Sequence, residues 1–146
     1  MATDHTHDPT GPDGPRHPLS ACVDALGTAL KDVTGVDPLF APVGVKRDVL
    51  VELTRLSDQV ESLRMRVMTG SADVVEAEAA HSIGAWLAPK VRTETGTQTG
   101  AANLAADLQL HHHLLAEALE RGAANLPQTK VINKSLTELR RLKGVT

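Results

Sequence analysis

VGVKRDVLVELTRLSDQVESLRMRV, running from Val43 to Val67, is the stretch on which the reading of the fold turns. Its apolar positions Val49, Leu53, Leu56, Val60, Leu63 and Val67 step by four, three, four, three and four. That spacing predicts a long helix over 45–68 with a coiled-coil-like seam along one side. Glu52/Arg55, Arg55/Asp58 and Glu61/Arg64 are opposite charges three residues apart, which read as a solvated outer face. Such a seam needs a partner, either a later helix of the same chain or a second copy.

Outward from it, the pattern stays helical. Toward the N-terminus, Cys22, Val23, Leu26, Leu30 and Val33 share one face of a helix that Ser20 could cap. On that apolar face Cys22 reads as a buried, inert thiol. "TGVDPLFAP" ends this helix with a glycine and two prolines. Four of the eight prolines fall within residues 1–18, which read as a disordered tail. His5 and His7 in that tail could catch an ion, but a solvated polar tail explains them as well.

Toward the C-terminus, "TGSADVVEAEAA" reads as a continuation of the helix, with Gly70 a weak point and Ser71 a possible new cap. "HSIGAWLAP" is a short helix capped by Ser82 and stopped near Pro89, with Ile83, Trp86 and Leu87 pointing one way. Trp86 reads as the core anchor of a chain whose only other aromatic is Phe40. "RTETGTQTG" reads as a polar connection, followed by a helix from about Gly100 to Leu110. A further helix ends at Gly122. The last starts at Asn125 with Pro127 in its first turn and has Val131, Ile132, Leu136 and Leu139 as its inner face. No segment alternates with period two. The expected architecture is all-α: one domain over 19–146, of five to six helices.

Composition narrows the function classes. With 146 residues and 41% apolar content the chain can bury a core of leucine, valine and alanine. A net charge of −3 gives no general attraction to nucleic acid. One cysteine excludes an internal disulfide. No apolar run nears a membrane span and no hydrophobic leader opens the chain, so the expected location is the cytoplasm.

Three consecutive histidines, His111 to His113, raise the question of a metal site. On a regular helix they fan over about 200° and cannot converge on one ion. Only His113, Glu117 and Glu120 line up at helical spacing, so His113 and Glu117 are the sole metal candidates worth naming. If residues 110–113 formed a loop between two helices, the geometric exclusion would weaken, but the sequence offers no second ligand cluster. No phosphate-binding glycine loop, nucleophile elbow or cofactor fingerprint is present. No catalytic residue and no cofactor is expected. The one charge asymmetry lies in the last helix, where Lys130, Lys134, Arg140, Arg141 and Lys143 oppose Glu138 alone. Such a helix could contact phosphates of duplex DNA, or be an ordinary exposed face with cations favoured at its C-terminal end.

Several stretches in order resemble the actinobacterial 13E12 repeat family. They are the seam helix, "SADVVEAEAAHSIGAWLAPKVRTETG", "LAADL" and "AEALERGAANLPQTKVI". The most telling are Ala85-Trp86-Leu87-Ala88 with Arg92-Thr93, and Ala118-Leu119, Gly122, Pro127-Gln128 and Val131-Ile132. The similarity covers about residues 40–142. It implies a helical region of unknown function that commonly precedes an HNH endonuclease module. No HNH motif occurs here and His111–His113 do not correspond to one, so the nuclease activity carries over to no residue. The expectation is a member truncated before the HNH part: a gene remnant, a short paralogue or a split reading frame. Two functions follow: a non-catalytic module associating with protein or duplex DNA, or a homo-oligomer formed through the 45–68 seam.

Overall fold

The computed structural model describes residues 15–144, and within them every regular element is helical, as expected. Among these residues there are seven α-helices, close to the five to six expected. The chain divides after Val43 into two compact units.

The first unit carries α1, Pro18–Asp32, and a 3-10 turn, Pro38–Phe40. His17, not Ser20, caps α1: its Nδ1 accepts from the Leu19 amide at 3.2 Å. Pro18 explains the shift, since its fixed φ suits the first helical position and its missing N–H is not needed there. Asp37 caps the 3-10 turn, its Oδ1 accepting from the Leu39 amide at 2.9 Å. No residue of α1 is buried. Cys22 is exposed, contrary to the inert thiol expected, and so are its apolar neighbours Val23 and Leu30. The apolar stripe is where the spacing puts it, but nothing within this unit covers it. His5, His7 and most of the expected tail lie outside the described residues.

The second unit is built on α2, Val43–Thr69, whose 27 residues make a rod about 40 Å long. Thr69 ends it by donating its hydroxyl to the Arg66 carbonyl at 2.9 Å and Gly70 follows. Next come α3, Ala72–Ala77; α4, Ile83–Lys90; α5, Thr95–His111; α6, His113–Glu120; and α7, Leu126–Leu142. Ser82 caps α4, accepting from the Ala85 amide at 3.2 Å, and Pro89 lies in its last turn. The tightest crossing is α4 on α5: a Cβ on Gly84 would come within 2.8 Å of the Thr99 nitrogen. Helix α5 starts earlier than its polar sequence suggests. Gln98 is buried there, with its Oε1 accepting from Arg64 at 2.8 Å and its Nε2 donating to Thr93 at 2.9 Å. These tertiary bonds hold a threonine- and glycine-rich turn that has little helix propensity of its own.

The core is small. Met65 of α2, Ala105 and Leu108 of α5, and Leu119 of α6 form it, flanked by Leu104, Leu115, Ala116 and Leu126. Trp86 is not its anchor. It is half-buried on α4, with the Lys90 ammonium 5.0 Å above its ring. Its indole nitrogen is enclosed without a partner. Among the described residues, no helix is long and apolar enough to cross a membrane.

Candidate association surface

Helix α2 has two faces of different character. At about 100° per residue, Asp58, Ser62, Met65, Met68 and Thr69 gather on one side. Ser62, Met65 and Met68 are buried there. The same side is tied to the other helices by polar bonds. Asp58 Oδ1 accepts from the Leu126 amide at 3.2 Å, adding to the capping box that Asn125 and Gln128 make at the start of α7. At the margin of this face Gln59 Nε2 donates to the Glu120 carbonyl at 3.2 Å, and Arg66 reaches the Glu120 carboxylate at 3.0 Å. Arg64 is held by both oxygens of Glu61, a charge-assisted hydrogen bond that raises its pKa against the opposing effect of burial.

The seam lies on roughly the opposite side. Val49, Leu53, Leu56, Val60 and Val67 are each between 43% and 53% exposed, and only Leu63 is partly covered. The stripe spans about 27 Å of helix. The later helices of the unit pack on the other face and leave it open. The N-terminal half of α2 runs beyond the core, beside an open cleft of about 450 Å³ against the turn Gly122–Asn125.

A second apolar face is open on α7. The spacing predicts Val131, Ile132, Leu136 and Leu139 as its inner side. Instead Thr129 and Asn133 are buried, Leu136 is partly covered, and Val131, Ile132, Leu139 and Leu142 face solvent. Hydrogen bonds offset most of the cost of burying this polar side, although Asn133 Oδ1 is enclosed without a partner. Thr129 donates to the Asn125 carbonyl at 2.9 Å, Thr137 to the Asn133 carbonyl at 2.8 Å, and Asn133 Nδ2 to Asp107 at 3.2 Å. The series Asn125, Thr129, Asn133, Thr137, four residues apart, is the signal that sequence reasoning passed over.

The basic residues of α7 do not form one patch. Lys130, Lys134 and Arg141 share a flank within about 40° of each other, all exposed. Arg140 turns toward the buried side and faces His112. Lys143 caps the helix end, away from the flank. Lys130 also borders a cleft shared with Glu61 and Arg64, where the local charge is mixed.

The histidine run straddles a joint. His111 ends α5, His112 stands between helices at φ −135° and ψ 48°, and His113 starts α6. Across the break the His111 and His112 rings meet edge to face, with centroids 6.2 Å apart. His112 is partly buried, and its Nε2 is enclosed without a hydrogen-bond partner. Burial lowers its pKa, the charges of Arg140 and His111 lower it further, and Asp107 works in the opposite direction. His113, Glu117 and Glu120 do line one cleft of about 350 Å³, together with Arg66. The Glu120 carboxylate is engaged there by Arg66. Among the described residues, no group of three or more histidine, cysteine or acidic side chains is placed to hold a metal ion.

Comparison of the chain with protein-family models, with curated proteins and with solved structures returned no match.

Proposed function

We propose that this chain is a non-catalytic helical association module of the cytoplasm, which docks a helix of another polypeptide along the α2 seam. One observation carries the reading: a regular six-residue apolar stripe is turned away from the chain's own core. A soluble helix gains nothing from a continuous exposed stripe of valine and leucine, and such stripes mark interaction sites. The resemblance to the helical region of 13E12 repeat proteins agrees with an accessory role of this kind, beside a nuclease module carried elsewhere.

The double variant Leu53→Glu/Leu56→Glu tests this reading. Both positions are half-exposed and belong to no core cluster. Helicity and urea stability, extrapolated to low protein concentration, should change by less than about 0.5 kcal/mol, as for ordinary surface substitutions. A loss above about 2 kcal/mol would place the seam in the chain's own interior and end the reading.

A second reading, contact with duplex DNA, rests on the flank of Lys130, Lys134 and Arg141. Three phosphate contacts would give a slope of about −2.7 in log K against log salt. Binding that ignores salt, or that survives reversal of all three charges, rejects it.

A further inference from the structure

We infer that the occupant of the α2 seam is a second copy of the same helix, docked antiparallel about a two-fold axis that crosses the seam midway between Leu56 and Val60. This rests on the association reading above and adds to it the partner, its direction and its register.

The argument starts from the order of the seam residues. In an antiparallel pair of helices with a 4,3 repeat, residues of the two apolar positions alternate across the interface. With the axis midway between Leu56 and Val60, Leu56 meets the partner's Val60, Leu53 meets the partner's Leu63, and Val49 meets the partner's Val67. The two-fold repeats each pair. All six apolar residues are then covered and none is left over. Shifting the register by a heptad in either direction would leave apolar residues at both ends without a partner.

The flanking charges choose the same arrangement. Glu52, Gln59 and Arg66 lie along one edge of the seam. In the antiparallel register Glu52 comes beside the partner's Arg66, Gln59 beside the partner's Gln59, and Arg66 beside the partner's Glu52. That makes two opposite-charge pairs and no like-charge pair. Glu52 and Arg66 are exposed and their present contacts, with Arg55 and Glu120, lie at the surface, so both remain within reach. On the other edge Leu50, which is 67% exposed, would lie along the stem of the partner's Arg64. A parallel pair would set Glu52 beside Ser57 and Gln59 beside Arg64, with no ion pair at all. The isologous arrangement is also closed, so it stops at a dimer.

The interior face of α2 does not interfere. Ser62, Met65 and Met68, with the helices packed on them, lie on the far side of the rod. The helices packed on α2 in each copy would therefore stand on opposite sides of the paired helices.

The test is cysteine mapping on the full chain, with Cys22→Ser removing the exposed native thiol. Chains carrying Val49→Cys are mixed with chains carrying Val67→Cys and oxidised mildly. The antiparallel register brings these positions together, whereas each lies about 27 Å from its own copy, far beyond disulfide reach. A disulfide dimer should form in the mixture and in neither sample alone. Dimerisation should weaken at least about 100-fold with Leu56→Glu, since each copy loses the burial of one leucine, and about tenfold with Glu52→Arg. Cross-linking of either variant with itself would mean a parallel pair and overturn the proposal. So would dimers that persist undiminished in Leu56→Glu, since another face would then be at work. A chain that stays monomeric into the high micromolar range also overturns it. That last result would leave the wider association reading to stand or fall by the stability of Leu53→Glu/Leu56→Glu.

Discussion

His112 shows how one residue at a joint acquires a property its neighbours lack. Its Nε2 is enclosed without a partner and its surroundings favour the neutral ring. The folded state therefore binds fewer protons at this site than the unfolded chain, whose histidine titrates near about 6.5. Stability linked to His112 is fully present above that value. It is lost as the pH falls through about 6.5 toward the lower folded pKa. The urea midpoint of the wild type should fall between pH 7.5 and pH 5.5 by more than that of His112→Gln. Equal slopes would show that the ring is not held neutral. Gly84 makes a second case at this scale. A methyl group there meets Thr99 backbone at 2.8 Å, so Gly84→Ala should cost about 1–3 kcal/mol by forcing α4 off α5. Gly100, also helical but with nothing within 4 Å, should gain up to about 1 kcal/mol from the same change. Thermal melts of the two variants read the difference in sign.

Among the elements, α2 and α7 divide what a sequence reveals from what it conceals. The seam of α2 was legible because a 4,3 repeat of valine and leucine has one reading. Which side of α2 meets its own domain was not, because that side is chosen by Ser62, two methionines and hydrogen bonds to residues 34 to 68 positions away. In α7 the apolar stripe pointed the wrong way. Thr129, whose hydroxyl bonds back to its own helix, and Asn133, whose amide donates to Asp107, are buried in place of valine and isoleucine, and hydrophobic periodicity does not register them. The joint at His112 was legible to within a residue or two, since one helix was expected to end near Leu110 and another to follow it. Reasoning from the residues did locate the helix ends marked by Ser82, Pro89, Gly122 and Asn125, where capping and ring geometry act locally. If α7 is oriented as described, Ile132→Glu should shift stability by no more than about 0.5 kcal/mol. Leu119→Ala, at a site 1% exposed, should cost about 2–5 kcal/mol. Urea titrations compare them directly, and a severe loss with Ile132→Glu would reverse the assignment of faces.

At the scale of the molecule, a small core of methionine, alanine and leucine coexists with three open apolar faces, on α1, α2 and α7. The face on α2 is the longest and the most regular, and like that on α7 it is backed by buried residues on the other side of its helix. The metal candidates His113 and Glu117 share a cleft in which Arg66 already engages the nearest third carboxylate. The five cations of α7 are dispersed, with three on one flank. The exposed face of α2 is therefore the ground on which we propose that this chain docks a helix.

Sedimentation of the wild-type chain and of Leu53→Glu/Leu56→Glu over a wide concentration range tests the central claim most directly. The wild type should move from the 15.5 kDa monomer toward twice that mass as concentration rises, while the variant stays monomeric and fully helical. Equal masses for the two proteins at every concentration, or a variant that has lost its helices, would contradict it.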